Sequence, residues 1–275
     1  MSVRERGINT ATLLEILLLA VVQGITEWLP ISSSGHLVVA QEYLGLKLPV
    51  FFDVILHVGS LIVVLIAFRN DVVKVLKAVA RLDFKSSDGK LGLYIILGSI
   101  ATALVGFVFK DLFVSFFHNL LAVGVAFILT GSFYSLLYAL RCGKQPSRPL
   151  NPLYAVLIGV AQGLALIPGV SRSGSTIASG LLLKVDREIA FRFSFLLFIP
   201  ALVGATVLTG MDTESILIAD IDPATVLLAL AVVVAVGYLS LKLLFKIVLT
   251  ERLHLFAYYC WALGIIIVLT QVVRF

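Results

Sequence analysis

Two similar stretches interrupt otherwise apolar runs of this 275-residue chain: QGITEWLPISSSGH at residues 23–36 and QGLALIPGVSRSGST at residues 162–176. Placed at an offset of 139 residues (162 − 23), they pair Gln23 with Gln162, Gly24 with Gly163, Ser32 with Ser171, Ser34 with Ser173 and Gly35 with Gly174. Each stretch is followed by a short apolar segment, at residues 37–44 and 176–183. This register predicts two copies of one unit, each of which begins with a broken helix.

The composition is typical of a membrane protein. Apolar residues make up 60% of the chain and charged residues 13%, with a mean hydropathy of +1.09, whereas soluble domains are about 25% charged. Two cysteines without a C-x-x-C pair exclude a disulfide scaffold and a Cys-based zinc site. The net charge of +5 comes from Lys and Arg in short stretches between apolar segments, which favours membrane orientation and predicts no nucleic-acid partner. We therefore expect a multi-pass protein of the cell (plasma or inner) membrane.

Six apolar stretches are near the roughly 20 residues that a spanning helix needs. They are Phe51 to Phe68, Leu91 to Phe109, Leu120 to Leu140, Ile189 to Thr209, Ala224 to Phe245 and Leu253 to Val273. The two broken stretches are predicted to be re-entrant helix-loop-helix pairs, because interrupted backbone in hydrocarbon must be satisfied by protein or by a water-filled cavity. The expected fold is an all-α polytopic membrane protein of six transmembrane helices plus two re-entrant helix-loop-helix pairs.

The number of crossings predicts how the two copies are related. One re-entrant pair and three spanning helices in each half reverse the side from which the second copy enters, which gives an inverted-topology repeat. We expect a single membrane domain over residues 1–275, with repeat halves at approximately 10–140 and 150–275. The two polar loops would then approach each other near the bilayer midplane.

Loop charges predict the orientation. The loop at residues 69–90 is basic, as is the one that contains Arg141 and Lys144, whereas residues 211–222 contain four acidic residues and no Lys or Arg. Basic loops are typically cytoplasmic. We therefore expect the acidic loop and both termini to lie outside.

The first loop supplies an acid and candidate nucleophiles. Gln23 and Glu27 are four residues apart, so in a helix they share one face. A carboxylate at membrane depth by default faces a cavity, a partner or an ion, although an interfacial glutamate at a frayed helix end is the alternative. The hydroxyl and imidazole groups that follow are Ser32, Ser33, Ser34 and His36. A hydroxyl beside an imidazole is typical of nucleophilic catalysis, although a lone histidine is more often structural.

The second loop has the composition of an anion-binding site. Glycines let the backbone approach a ligand, hydroxyl groups donate hydrogen bonds, and a helix N-terminus offers free amides. A single guanidinium can bind phosphate oxygens bidentately. The candidate phosphate-binding residues are Gly169, Ser171, Arg172, Ser173, Gly174 and Thr176. A serine-rich helix cap is the alternative, but capping does not require an arginine between apolar segments.

Together, the two loops favour phosphoryl transfer on a membrane lipid. Arg172 could stabilise charge on a transferring phosphoryl group, while Glu27 with Gln23 could hold a divalent cation that bridges a diphosphate. Because the loops lie between membrane helices, the favoured substrate is a lipid with a phosphate or diphosphate head. Asp53 and His57 share a helix face and could support the site, although Asp53 is equally explained as a helix-start residue.

Both loops resemble the motifs of the BacA/UppP undecaprenyl-diphosphate phosphatases. QGITEWLPISSSGH is similar to that family's (E/Q)xxxE segment with its following serines and histidine, and PGVSRSGST is similar to its PGxSRSxxT segment. The stretch FRFSFLLFIPALVGA at residues 191–205 also looks typical, so the resemblance covers nearly the whole chain. It implies a phosphatase that removes the terminal phosphate of a C55 polyprenyl diphosphate and regenerates the lipid carrier for peptidoglycan and other cell-envelope glycans. The resemblance also implies a link to bacitracin resistance and a requirement for Mg²⁺ or Ca²⁺.

Carried over by position, the resemblance assigns roles to individual residues. It implies that Gln23 and Glu27 take the places of the acidic motif and that Ser33 and His36 take those of nucleophile and proton transfer. The phosphate-binding places fall to Ser171, Arg172, Ser173 and Thr176. Gln23 stands where many members have glutamate, which removes one metal ligand. The working hypothesis is Ser33 as nucleophile, His36 as acid/base, Arg172 as clamp and Glu27 as metal ligand, with the order of Ser33 and His36 left open.

Two other classes of protein compete with an enzyme. Inverted repeats with broken helices also build transporters, so a polyprenyl-phosphate flippase is the main alternative, which lipid translocation without phosphate release would favour. A purely structural scaffold does not explain why polar residues concentrate in both breaks. The sequence leaves open the prenyl chain length, the preferred cation and whether the chain forms a homodimer.

Overall fold

A computed structural model describes residues 11–46, 48, 50–140, 147–210, 222–250 and 252–273. Within these ranges the secondary structure is helical apart from isolated bridge residues, which include the pair Arg148 and Val185. The predicted loop residues 211–221, Arg141 and Lys144 lie outside the described residues, as do both chain ends. The helices are α1 (Leu13–Thr26), α2 (Ser33–Leu44), α3 (Val50–Ala67), α4 (Arg69–Ala80), α5 (Ser87–Val108), α6 (Lys110–Phe117), α7 (Leu120–Leu140), α8 (Pro152–Leu164), α9 (Arg172–Leu182), α10 (Arg187–Gly210), α11 (Pro223–Leu249) and α12 (Leu255–Val273).

Among the described residues, five helices are long and apolar enough to cross a membrane, namely α5, α7, α10, α11 and α12, the last together with the short 3-10 turn that precedes it. A sixth candidate is α3 with α4, two helices bent by 84° at their junction. Large apolar side chains on the outer faces stay exposed in the monomer, as lipid contact requires; Phe107 of α5 is 83% exposed. The prediction of a helical membrane protein with about six spans is therefore confirmed, whereas the inverted repeat and the re-entrant pairs stay predictions.

One predicted loop is in part helical. The basic segment after the first span forms α4, because its apolar residues Val75 and Ala78 are buried while the charged residues face outward. The next helix also begins earlier than the hydropathy pattern predicts. Ser86 caps α5 by accepting a hydrogen bond from the Gly89 amide at 3.1 Å, which starts the helix at Ser87 instead of Leu91.

Close helix packing positions the two breaks. The first helix of each break packs against a long helix from the other half of the chain: α1 against α11, and α8 against α5. A Cβ atom at Gly159 would lie 2.2 Å from the Gly98 carbonyl oxygen, so α8 and α5 approach as closely as their backbones allow. Helices α3 and α10 pack against each other between these pairs. The ends of α1 and α8 therefore point into the same part of the bundle.

An aromatic cluster supports this region. The Trp28 ring, which is fully buried, lies 5.5 Å from Phe195 and 6.4 Å from Phe198 between ring centroids. Phe68 at the end of α3 stacks on Phe195 at 5.9 Å. The phenylalanine rings therefore pack around Trp28, which belongs to the loop that follows α1.

Candidate active site

Each of the two polar loops ends at a serine that caps the following helix. Helix α2 is capped by Ser32, whose hydroxyl accepts a hydrogen bond from the Gly35 amide at 3.3 Å. Helix α9 is capped by Ser171, whose hydroxyl accepts from the Gly174 amide at 3.2 Å. These are the serines and glycines that the sequence register pairs. Each cap satisfies an otherwise unpaired helix amide.

Ser32 also joins the two loops. The Gly169 amide donates to the Ser32 hydroxyl at 3.0 Å, while the Gly169 carbonyl accepts from Thr130 at 3.0 Å. Gly169 has a φ of +96°, and a Cβ atom there would lie 2.6 Å from the Val123 carbonyl oxygen. Only glycine fits this backbone. The junction between the two loops is therefore held by hydrogen bonds that the Gly169 backbone forms with the hydroxyl groups of Ser32 and Thr130.

An ion pair across the loops lies at the centre of the site. Arg172 Nη2 donates to Glu27 Oε1 at 2.6 Å, although the residues are 145 positions apart. Glu27 is 5% exposed, and the Arg172 guanidinium carbon lies 3.6 Å from the centroid of the Phe198 ring. Ion pairing and the aromatic face together compensate the guanidinium for the water it loses.

The other carboxylate oxygen of Glu27, Oε2, is contacted by three further side chains. Ser33 donates to Oε2 at 2.6 Å and the Gln23 amide donates to it at 3.1 Å, while His57 Nε2 lies 3.2 Å away. A second hydrogen bond orients the His57 imidazole, because its Nδ1 donates to the Asp53 carbonyl oxygen at 2.7 Å. His57, which was expected only to support the site, therefore contacts the Glu27 carboxylate directly.

A cavity of about 220 Å³ opens beside this cluster. It is lined by Glu27, Ser32, Ser33, Ser34, Ser171 and Arg172 from the two loops, and by apolar residues such as Val170, Leu166 and Leu202. The Nε and Nη1 atoms of Arg172 are buried and have no hydrogen-bond partner among the described residues. Buried donors without acceptors are unusual. They make the site ready for a ligand with several acceptor oxygens.

His36 lies away from the Glu27 and Arg172 pair. Its Nδ1 donates to the Ser32 carbonyl oxygen at 2.7 Å, and its Nε2 lies 2.7 Å from the Tyr259 hydroxyl. The imidazole stacks on the Tyr259 ring with centroids 5.7 Å apart and is not among the cavity-lining residues. The proton-transfer role of His36 stays a prediction.

Several predicted phosphate ligands point into the protein. Ser173 donates to the Trp28 carbonyl oxygen at 3.3 Å, and Thr176 bonds to the Arg172 carbonyl oxygen and to Ser194. Gly174 packs against Tyr134, whose hydroxyl would lie 1.6 Å from an added Cβ atom. Because all three are buried away from the cavity lining, their phosphate-binding roles also stay predictions.

Sequence reasoning missed two groups that line the cavity. Thr102 and Gln162 lie on its far side, where the Gln162 amide donates to the Thr102 hydroxyl at 3.3 Å. The register that pairs Gln162 with Gln23 was the available signal for Gln162. Phe198, which covers the Arg172 guanidinium, lies in the family-typical stretch at residues 191–205, but nothing in that stretch distinguishes it from its neighbouring phenylalanines. Its position in the bundle depends on packing alone.

Comparison with known proteins yields consistent matches. The family model described as "Bacitracin resistance protein BacA" matches residues 16–266. A curated protein of Alkaliphilus metalliredigens named "Undecaprenyl-diphosphatase" is 36% identical over 270 residues, which covers 94% of this chain and 98% of the relative. Relatives of the same name from Carboxydothermus hydrogenoformans and Desulfosudis oleivorans are 39% and 44% identical, covering 94% and 90% of this chain and 97% and 94% of their own lengths.

The loop junction generates a prediction for two neighbouring serines. Ser32→Ala should lower the free energy of unfolding by about 1–3 kcal/mol, because the buried amides of Gly35 and Gly169 both lose their acceptor. Ser34→Ala is the matched control, since the Ser34 hydroxyl contacts only Ser32 at 3.4 Å among the described contacts, and it should change stability by less than about 0.5 kcal/mol. Thermal unfolding in detergent measures both variants, and equal effects would contradict the proposed junction.

Proposed function

Because this chain belongs to the bacitracin resistance protein BacA family, we propose that it is an undecaprenyl-diphosphatase of the cell membrane. It hydrolyses the terminal phosphate of a polyprenyl diphosphate and regenerates the monophosphate carrier for cell-envelope glycan synthesis. One observation in the site carries this proposal. Two nitrogens of the Arg172 guanidinium, Nε and Nη1, lack hydrogen-bond acceptors among the described residues, and Arg172 lines the same cavity as Ser33.

Diphosphate binding is supported by the donors around the cavity. The two unpartnered nitrogens of Arg172 can bind two oxygens of the terminal phosphate. The N-terminus of α9 adds amides and the favourable end of the helix dipole. The apolar wall of Val170, Leu166 and Leu202 suits the first isoprene units of the lipid. A diphosphate head joined to an apolar chain therefore matches both parts of the cavity.

Ser33 is the nucleophile in this proposal. Its hydroxyl donates to Glu27 at 2.6 Å, which leaves an oxygen lone pair free to attack the terminal phosphorus. As the bond forms between Ser33 Oγ and phosphorus, the Ser33 proton passes to the Glu27 carboxylate, the bond to the bridging oxygen breaks and polyprenyl monophosphate leaves. Water then attacks the phosphoserine, which releases inorganic phosphate and restores the Ser33 hydroxyl. Arg172 stabilises the charge on the equatorial oxygens, and His36 is kept as the proposed acid/base of the second step.

Glu27 and Gln23 are the proposed ligands of Mg²⁺ or Ca²⁺. The Gln23 Oε1 atom is buried without a hydrogen-bond partner among the described residues, while its amide nitrogen faces the Glu27 carboxylate. A turn of the amide group would bring its oxygen beside that carboxylate as a second hard donor. No group of three or more His, Cys, Asp or Glu side chains in the described ranges is placed to hold a metal. Two protein ligands fit a cation that is otherwise bound by phosphate and water. When bound, it would neutralise charge on the diphosphate.

We also propose that the protein is one membrane domain, built as an inverted repeat around two re-entrant pairs. The packing of α1 on α11 corresponds to that of α8 on α5 when the halves are exchanged. Gly24 approaches Val236 and Gly237, and its sequence partner Gly163 approaches Val105 and the Thr102 carbonyl oxygen. The paired serine caps add a second correspondence. Such symmetry supports halves at approximately residues 10–140 and 150–275.

The test of the proposed function is phosphate release from a labelled substrate. Arg172→Lys should lower turnover of polyprenyl diphosphate by about 10²–10³-fold, because a lysine keeps the charge but not the two-pronged hydrogen bonding. Arg81→Lys, an exposed arginine far from the cavity lining, is the matched control and should retain parental turnover. Unchanged activity in Arg172→Lys, or lipid translocation by the parent protein without phosphate release, would contradict the proposal.

The same labelled reaction also distinguishes the two candidate nucleophiles. Quenched enzyme should carry acid-stable phosphate on Ser33, and Ser33→Ala should carry none. Acid-labile phosphate on His36 would reverse the two roles.

The proposed metal ligands generate a separate prediction. Gln23→Glu supplies a second carboxylate beside Glu27 and should lower the Mg²⁺ concentration for half-maximal phosphate release by about 10-fold, since carboxylates bind hard cations more tightly than amides do. Gln271→Glu is the control, because Gln271 on α12 lies outside the cavity lining. An unchanged Mg²⁺ dependence in Gln23→Glu would remove Gln23 from the ligand set.

A further inference from the structure

A second cavity lies at the opposite ends of the helices that form the first. It measures about 770 Å³ and is lined by the end of α3, the start of α4, the start of α10 and the last third of α11. The candidate active site uses the other end of α3, around Asp53 and His57, and the later part of α10. Phe195, which contacts both Phe68 and Trp28, lies between the two cavities. The second cavity is therefore separate from the site described above.

Cations outnumber carboxylates by three to two along the second cavity. Its charged residues are Asp71, Glu188, Arg192, Lys242 and Lys246. Arg192 is paired with Asp71. Lys242 and Lys246 are exposed, lie one helical turn apart and form no ion pair within the described ranges; the Lys242 ammonium lies 4.4 Å from the centroid of the Tyr238 ring. Two ammonium groups are thus available to a ligand at one edge of the cavity.

The rest of the lining is apolar and extends to the lipid-facing surface. Phe68, Phe191 and Phe245 form the inner wall, where the rings of Phe191 and Phe245 are 4.9 Å apart. Leu239 and Leu243 border the cavity on its outer side and are 69% and 51% exposed. A ligand here would meet cations at one end and hydrocarbon-compatible surface along its length.

The depth of the two lysines matches a lipid headgroup. Helix α11 has 27 residues and is about 40 Å long, whereas the hydrocarbon core is about 30 Å thick. Lys242 and Lys246 lie within about 10 Å of its C-terminal end, so their ammonium groups reach the headgroup level of the leaflet. The basic helix α4 lies at the same end of the bundle and raises the local concentration of anionic lipid.

We propose that this cavity binds the phosphate headgroup of an anionic phospholipid, with Lys242 and Lys246 as its cationic contacts. The acyl chain lies along Leu239 and Leu243. Basic pockets between membrane helices are a recognised mode of anionic lipid binding. The phospholipids of the leaflet are also present in large excess over any polyprenyl lipid, so mass action favours them as the occupant.

Native mass spectrometry of the purified protein in neutral detergent tests this proposal, with phosphatidylglycerol and phosphatidylcholine of the same acyl chains as probes. The double variant Lys242→Gln/Lys246→Gln should bind phosphatidylglycerol roughly 10- to 30-fold more weakly than the parent. Lys74→Gln/Lys77→Gln removes the same charge from exposed positions on α4 outside the cavity lining, and should weaken binding by less than about 3-fold. Lys242→Arg/Lys246→Arg should retain parental binding.

Three results would overturn the proposal: equal effects of the two glutamine double variants, parental binding of phosphatidylcholine as tight as that of phosphatidylglycerol, or dependence on Lys242 and Lys246 for polyprenyl monophosphate only. Thermal unfolding confirms that the exposed substitutions leave the fold intact. Phosphate release by Lys242→Gln/Lys246→Gln in neutral detergent should equal that of the parent. A failure of this inference is therefore distinguishable from a failure of the proposed enzymatic function.

Discussion

The buried ion pair between Glu27 and Arg172 is the interaction on which the rest of the site depends. Either charge alone in this setting would lack compensation for the water it loses, and together they satisfy each other at 2.6 Å. The pair joins the two chain breaks, although Glu27 and Arg172 are 145 residues apart in the sequence. Everything else at the junction, including the Ser32 hydroxyl that bonds to Gly169, reinforces this approach.

The pair also explains why one guanidinium edge is left open. Glu27 occupies a single nitrogen of Arg172 and the Phe198 ring covers one face, while Nε and Nη1 are buried without acceptors among the described residues. Incomplete satisfaction of a buried donor set is tolerated where a ligand completes it. The same carboxylate accepts a hydrogen bond from Ser33, the proposed nucleophile, so one group contacts both Ser33 and Arg172.

Much of this arrangement could be predicted from the sequence, because polar residues in hydrocarbon have few allowed partners. The spacing of Gln23 and Glu27 and the register of the two loops were enough to place Glu27 near Arg172. The directions of His36 and Thr176 were not predictable, since they depend on contacts with Tyr259 and Ser194 from distant helices. Helix α4 was missed because its charges resemble those of a loop, while only two of its apolar residues are buried.

A double-mutant cycle on Glu27 and Arg172 tests the central claim most directly. The free energy of unfolding in mixed detergent micelles would be measured for Glu27→Gln, Arg172→Gln and the double variant. Each single change should destabilise the protein by about 3–5 kcal/mol, because it leaves a buried charge unpaired. The double variant should be more stable than the sum of the single effects implies, by at least about 1 kcal/mol. Additive effects would mean that the two side chains do not interact, which would contradict the account.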